Sequence, residues 1–161
     1  MTETATVGYG LGELPRWAYH DVIDLLYRHG WHDAQKLVEM ACTVDAESGC
    51  FPHAWHWNDP ELGGDGSTDW GMFQHNDGNK GGQPPTVGPN GAPTAVTQFQ
   101  KDALDPEKAA NRARDLYNSR DFQPWFGHAT WMNYAPAMTR ALANWLRGGE
   151  AMTTLTSSCS L

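Results

Sequence analysis

The stretch from Glu47 to Asn76 constrains the fold most, because two kinds of sequence pattern meet in it. Apolar residues recur at helical spacing up to its start, whereas beyond residue 55 short aromatic and polar runs are broken by the turn sequences NDP, GG and DGS. The first pattern predicts an amphipathic helix, and the second predicts a hairpin or three-stranded ribbon with turns at 58–66. Together with further helical segments, this junction predicts an α+β fold that is mostly α-helical, with a small antiparallel β-ribbon.

The helix that enters this stretch is predicted from its two ends and its apolar stripe. Asp33 is suited to cap it and Gly49 to end it. On a helical wheel of about 100° per residue, Glu47 falls beside Met40 at the border of the stripe. Half-burial there raises the pKa of a glutamate, as a general acid requires. The alternative is an ordinary glutamate facing water, although the helix dipole disfavours a negative charge at that end. The apolar stripe consists of Ala34, Leu37, Val38, Ala41 and Val44.

The remaining segments predict one domain, residues 14–148, between a flexible arm at 1–13 and a tail at 149–161. Asp65 is expected to form a turn, while Asp69 lies where strand propensity is high. Residues 77–93, which are rich in Gly and Pro, predict a long loop that is either a lid or a solvated insertion. An aromatic turn is expected at 122–126. Helices are predicted at about 15–29 with Pro15 first, at 94–104, at 105–120 and after Pro136, ending at Gly148.

Composition limits the possible partners of the chain. It has 161 residues and a net charge of -8, with 11 Lys and Arg against 19 Asp and Glu and no basic cluster. This balance argues against nucleic acid and against anionic membrane surfaces. We also expect neither a secretory signal nor a membrane span, since no apolar run of suitable length occurs. Eight Trp are many for this length, and Trp faces bind sugar rings by apolar stacking as well as filling cores.

The cysteines do not fit a disulfide framework. Cys42, Cys50 and Cys159 form an odd set without a C-x-x-C motif, so we expect reduced structural thiols, with a Cys42–Cys50 bridge as the alternative. A cysteine peptidase built on Cys42 is disfavoured because a reactive thiol needs an exposed helix start, and Cys42 falls in mid-helix.

Seven histidines raise the possibility of a metal site. The pairs His29/His32 and His53/His56 are spaced i, i+3, but no carboxylate completes a known metal motif such as H-E-x-x-H. We therefore expect no metal and no cofactor. The alternative role for His53, His56 and His75 is to edge a cleft.

The run from Asp65 to Gln74, DGSTDWGMFQ, preceded by Glu47-Ser48, resembles the active-site ribbon of chicken-type lysozymes. The looser pattern of Glu47-Ser48, Gly71 and Gln74 is shared with soluble lytic transglycosylases and with lysozyme-like domains of phages that infect actinobacteria. Residues 104–125 are similar to the later helix and Trp-bearing turn of those domains. The resemblance covers roughly residues 15–147.

The resemblance implies roles for six residues. Glu47 would be the general acid that protonates the glycosidic oxygen, and Asp69 the second carboxylate, ionised and acting as nucleophile or electrostatic stabiliser; lysozyme is itself the standard example of this division. The cleft would be lined by Ser67, Gln74 and Asn76. Trp125 would pack near the acid.

This chain departs from the chicken-type pattern in spacing. Glu47 and Asp69 are 22 residues apart, about five more than in chicken-type lysozymes, with the extra length near Pro60 to Gly64. If the turn absorbs that length, Asp69 keeps its role. Otherwise the protein would resemble the transglycosylases, which use one Glu and the acetamido group of the substrate. The cystines of chicken-type lysozymes are missing, which suits folding in a reducing cytoplasm.

The resemblance implies a peptidoglycan glycosidase that acts on glycan strands between N-acetylmuramic acid and N-acetylglucosamine. The expected setting is a bacteriophage, as an endolysin or as a wall-degrading part of the virion that contacts other tail proteins. Such a protein would be made in the bacterial cytoplasm and act on the wall after release or in the particle. The alternative from another class is a lysozyme fold kept as a non-catalytic structural component of the virion.

Overall fold

The computed structural model describes residues 8–148, so most of the predicted arm and the whole predicted tail lie outside the described residues. Within this range a small antiparallel sheet accompanies five α-helices, and the predicted α+β, mostly helical class is confirmed. The strands are β1 (Tyr9–Gly10), β2 (Trp55–Trp57), β3 (Thr68–Trp70) and β4 (His75–Asn76). The helices are α1 (Tyr19–Arg28), α2 (Ala34–Ser48), α3 (Gln98–Leu104), α4 (Pro106–Arg120) and α5 (Ala135–Arg147). Two 3₁₀ stretches occur at Pro60–Leu62 and Phe126–Asn133.

The described chain divides into two compact units. The sheet unit contains residues 8–16 and 51–109, and the helical unit contains residues 17–50 and 110–148. No helix within residues 8–148 is both long and apolar enough to cross a bilayer.

In the sheet unit, the strands follow the order β1-β2-β3-β4, so the sheet has one strand more than the predicted three-stranded ribbon and two more than the alternative hairpin. The extra strand, β1, comes from the segment that was expected to be a loose arm. Its Gly10 lies so close to Trp55 that an added Cβ would sit 2.6 Å from the indole Nε1. A glycine-rich segment is thus what allows the main chain to pair across a tryptophan.

The turn after β3 depends on a glycine. Gly71 has a φ of 82°, and an added Cβ would lie 1.8 Å from the carbonyl oxygen of Ala103 in α3. The Gly71 N–H donates to the Ala54 carbonyl over 2.7 Å. Only glycine fits this close approach of the turn to α3.

In the helical unit, α2 has the predicted ends. The Asp33 carboxylate accepts the Lys36 N–H over 3.1 Å, and Gly49 adopts a left-handed conformation after the last turn. The predicted single apolar stripe was too narrow, because every residue from Leu37 to Val44 is buried, including Glu39. Within this unit α2 packs against α1, α5 and the stretch Phe126–Asn133, called here the 3₁₀ segment.

Several predicted boundaries were wrong. α1 begins at Tyr19 and not at Pro15, because Ala18 is extended and the Trp17 N–H bonds the Cys50 carbonyl over 2.9 Å. α3 begins at Gln98, after Thr97 and Gln100 form a capping box.

The region beyond α4 also differs from the prediction. The expected aromatic turn continues into the 3₁₀ segment, which the sequence pattern did not reveal. The predicted loop at 77–93 contains no helix or strand apart from a bridge between Val87 and Pro93.

Candidate functional site

Glu47 lies in the last turn of α2, half-buried in the helical unit. Its Oε2 accepts the backbone N–H of Gly127 over 2.5 Å. A Cβ on Gly127 would lie 2.9 Å from the Ala46 Cβ and 3.0 Å from Glu47 Oε2. The 3₁₀ segment can therefore present a main-chain donor to this carboxyl only because residue 127 has no side chain.

Trp125 fixes the start of the 3₁₀ segment. Its side chain is buried, its backbone is extended, and its N–H donates to the Phe122 carbonyl over 3.0 Å. The carbonyl of Trp125 accepts the His128 N–H over 3.2 Å. The tryptophan expected near the acid is thus two residues before the donor that contacts Glu47.

A second carboxylate of α2 also bonds the 3₁₀ segment, and sequence reasoning missed it. Glu39 is buried, and its Oε2 lies 2.7 Å from His128 Nε2. Its Oε1 lies 3.3 Å from Lys36 Nζ. Its position between Val38 and Met40 was the available signal, since a carboxylate within a buried run needs a partner.

A broad groove of about 1090 Å³ lies in the helical unit. It is lined by residues 117–126 together with His128 and Ala129. Phe126, at 98% exposure, stands at its edge, and the buried Trp125 forms part of its wall. Aromatic surface mixed with polar groups is suited to binding sugar rings.

In the sheet unit, Asp69 is held by side-chain amides. Asn58 donates to its Oδ2 over 3.2 Å and Asn76 donates to its Oδ1 over 2.8 Å. His56, its partner across β2 and β3, places Nδ1 3.7 Å from Oδ2. An ionised aspartate only accepts hydrogen bonds, which matches amide donors at both oxygens.

Ser67 and Asn76 belong to the same network. The buried Ser67 hydroxyl accepts from Asn58 over 3.3 Å and from Asn76 over 2.8 Å, and donates to Asp65 Oδ1 over 2.5 Å. Two of the three residues that were predicted to line the cleft therefore belong to the network around Asp69: Asn76 bonds it directly, and Ser67 is connected through Asn58 and Asn76. Asn58 was missed because the sequence NDP was taken as a turn, although Asn58 follows His56 on the same face of the ribbon.

Asp65 shapes the turn, as predicted. Its Oδ1 also accepts the Ser67 N–H over 3.0 Å. The hydrogen bonds from the hydroxyl and the N–H of Ser67 hold the pKa of Asp65 below its ordinary value.

Asp77, which the sequence did not single out, stabilises the opposite face of the ribbon. Its carboxylate accepts the Thr68 N–H over 3.1 Å, the Trp70 indole N–H over 3.0 Å and the Asn79 N–H over 2.9 Å. Burial by itself would raise the pKa of Asp77, but hydrogen bonds, led by that from Asn79, outweigh it and the pKa is lowered. The charged form of Asp77 thus helps to hold β3 in place.

Gln74 lies in the turn between β3 and β4 with a positive φ of 53°. Its amide nitrogen donates to the carbonyls of Gly71 over 2.8 Å and Ala54 over 3.3 Å. This amide group stabilises the turn from which β4 starts.

The histidines have separate environments. His75 is buried with Nε2 2.9 Å from the Ala109 carbonyl, so the suggestion that it edges a cleft was wrong. Burial lowers the pKa of His53, against the opposing effect of Glu13. Among residues 8–148, no three His, Cys, Asp or Glu side chains are grouped so as to hold a metal ion.

Cys42 and Cys50 are both free and buried, as predicted, while Cys159 lies outside the described residues. Burial, reinforced by the negative charge of Asp45, raises the pKa of Cys42 to about 12. The thiolate that a cysteine nucleophile requires therefore does not form near neutral pH.

The predicted site residues fall into two groups. Ser67, Asn76 and Asp69 come together in the sheet unit, whereas Glu47 and Trp125 belong to the helical unit. Comparison with models of known protein families and with curated proteins gave no match. The likeness to lysozymes therefore depends on the residues themselves.

Proposed function

We propose that this chain is a peptidoglycan glycosidase, a muramidase that cleaves the β-1,4 bond between N-acetylmuramic acid and N-acetylglucosamine. The observation that carries the proposal is the setting of Glu47, a half-buried carboxyl whose Oε2 accepts the Gly127 N–H over 2.5 Å. Phe126 and His128, on either side of that glycine, line the groove of about 1090 Å³.

Glu47 would act as the general acid. Because Oε2 accepts the Gly127 N–H, we expect the transferable proton to be on Oε1. Proton transfer from Oε1 to the glycosidic oxygen would let the leaving sugar depart as an alcohol, and the carboxylate would then take a proton from the attacking water.

Asp69 would stabilise the positive charge that develops on the sugar ring, or form a covalent bond to it. The amides of Asn58 and Asn76 orient its oxygens, which supports a fixed role in the reaction.

The added length between the two carboxyls is compatible with this role. Pro60–Leu62 forms a 3₁₀ turn in the region of the extra residues, with Leu62 86% exposed. Beyond it, the pairing of His56 with Asp69 and of Trp57 with Thr68 is unbroken. The extra residues thus lie in a turn and leave the pairing of β2 with β3 intact, which supports the hydrolase over a transglycosylase that works with Glu47 alone.

The proposed partner is the glycan strand of the bacterial wall, and the proposed setting is a bacteriophage. In an endolysin the protein would reach the wall from the host cytoplasm after release. In a virion-associated enzyme the particle would bring it to the wall, and other tail proteins would be its neighbours.

Mass spectrometry of the fragments released from purified peptidoglycan tests the proposal, with Glu47→Gln as the matched control. We expect reducing muramic ends from the wild type and none from the variant. Fragments with 1,6-anhydro ends would instead identify a transglycosylase. If no wall releases fragments, the proposal fails and the non-catalytic virion component becomes the better explanation.

A further inference from the structure

We propose that Glu39 and His128 are positioning residues: their hydrogen bond holds the 3₁₀ segment on α2 so that the Gly127 N–H remains on Glu47 Oε2. The inference rests on the proposed function for its catalytic consequence. Its structural part concerns only the helical unit and can be tested without any substrate.

The geometry gives α2 two polar ties to the same short segment. Gly127 donates its backbone N–H to Glu47 over 2.5 Å, and the next residue, His128, bonds Glu39 over 2.7 Å. Glu39 and Glu47 are two turns apart along α2, so the two ties fix both the position and the direction of the segment. A segment held by one hydrogen bond could rotate about that bond, whereas hydrogen bonds at two adjacent residues prevent the rotation.

Burial makes the second tie strong. The side chain of Glu39 is only 9% exposed, and a carboxylate that loses water in this way needs donors for both oxygens. His128 Nε2 supplies one of them, and Lys36 Nζ supplies the other at 3.3 Å. In this hydrogen bond an ionised Glu39 can only accept, so the donor role belongs to His128 Nε2.

The plane of the His128 ring is fixed by stacking. Phe122 lies parallel to it with ring centroids 4.1 Å apart, and Trp131 stacks at 6.4 Å. A phenyl ring at residue 128 would keep this stacking but could not bond Glu39. The His128→Phe variant therefore removes the hydrogen bond to Glu39 while retaining the stacking of the ring.

Other charged groups lie near Glu39 and His128, so a pH titration of Glu39 variants reports more than the loss of one hydrogen bond. Lys36 is bonded to Glu39 and is also influenced by Tyr117 and Asp121. Replacing Glu39 therefore changes both the tie and the local charge, and a variant that removes only the charge is needed as a control.

The test is nuclear magnetic resonance of the 161-residue chain, with the Gly127 amide signal followed as a function of pH. Because its N–H donates to Glu47 Oε2, this amide should report the ionisation of Glu47 in the wild type. In His128→Phe and Glu39→Leu we expect that titration step to be lost. Glu39→Gln keeps an acceptor for His128 without the charge, and we expect it to keep the step.

Kinetics supply the catalytic readout. If the pair positions the donor, His128→Phe should lower kcat by up to about 10²-fold, because misplacement by about 1 Å has effects of that size. We also expect the upper limb of its pH profile to move upward, since loss of an N–H donor disfavours the ionised form of Glu47. Glu39→Gln, which keeps an acceptor for His128, should lower kcat less than His128→Phe does.

The outcomes separate the inference from the proposed function. A Gly127 signal that titrates in His128→Phe as in the wild type overturns the positioning role, whatever the activity. If the variants lose the titration step but the wild type has no glycosidase activity, the positioning role of Glu39 and His128 is supported and the proposed muramidase function is rejected. If Glu39→Leu does not fold, the pair His128→Phe and Glu39→Gln still decides.

Discussion

The two candidate carboxyls, Glu47 in the helical unit and Asp69 in the sheet unit, are held in opposite ways. Glu47 is bonded by a backbone N–H from a residue 80 positions later in the chain. Asp69 is bonded by side-chain amides 11 and 7 positions away in the same ribbon, one directly after β2 and one in β4. The first arrangement depends on packing between distant segments, whereas the second depends on local strand register.

This difference affects how each group responds to substitution. The amides at Asp69 can be removed singly, and each such bond contributes on the order of 1.5–3 kcal/mol when one partner is charged. The donor at Glu47 is a main-chain group, so it can be displaced only by moving the 3₁₀ segment. We expect Glu47 to be sensitive to changes in packing and Asp69 to changes in polar side chains.

The largest expected effect comes from Glu47→Gln. The amide oxygen of Gln can still accept the Gly127 N–H, but the side chain cannot deliver a proton, so we expect a loss of about 10²–10⁴-fold in kcat. The measurement is the rate of reducing-end release from peptidoglycan, with thermal unfolding as the control for folding. Activity within tenfold of the wild type would contradict the role of Glu47 as the acid.

Asp69→Asn should have the next largest effect, and it tests the other half of the comparison. The amide removes the negative charge and brings its own donor against Asn58 or Asn76, so we expect a loss of roughly 10²–10³-fold, typical of removing one electrostatic stabiliser. The same rate assay measures it. Unchanged activity together with 1,6-anhydro products would show that Glu47 acts without Asp69.

Gly127→Ala tests whether the acid depends on close packing. The new Cβ would push against Ala46 and against the Glu47 carboxyl, and we expect about a tenfold loss of activity with a smaller loss of stability. Gly88→Ala is the control, because a Cβ there meets nothing closer than 4.0 Å. Equal activity of both variants would mean that Glu47 tolerates displacement of the segment.

The smallest effect is expected from Asp77→Asn, read as a change in how stability depends on pH. The folded pKa of Asp77 is lowered from 3.8, so its stabilisation is present above that value and is lost as the pH falls through the folded pKa. We expect urea unfolding between pH 6 and pH 3 to show a smaller loss of stability in the variant than in the wild type. Asp65, whose pKa is also lowered, is present in both proteins and contributes to the pH dependence of stability in each. If the free energy of unfolding depends on pH identically in both proteins, the charge of Asp77 does not stabilise the fold.

Sequence reasoning was most successful where the cause is local. The ends of α2 follow from Asp33 and Gly49, because capping and left-handed backbone are properties of single residues. The turn role of Asp65 follows for the same reason. The strand propensity of Thr68 and Trp70 predicted a strand at Asp69, which is where β3 lies.

It was least successful where two distant segments decide the outcome. The sequence did not indicate that residues 9 and 10 would add a strand, or that Asn58 would bond Asp69. The buried pair of Glu39 and His128 joins residues 89 positions apart, and no periodicity connects them. Burial was assigned to a stripe of α2, but packing in the helical unit buries all its sides from Leu37 to Val44.

The sequence by itself determined the fold class and the ends of α2, because propensity, capping and turn formation act over a few neighbouring residues. The two candidate carboxyls, Glu47 and Asp69, were proposed from the resemblance to lysozymes. Only the tertiary structure decided which donors hold those carboxyls. A hydrogen bond forms wherever folding brings a donor to an acceptor, and that depends on chain packing over distances that local patterns do not encode.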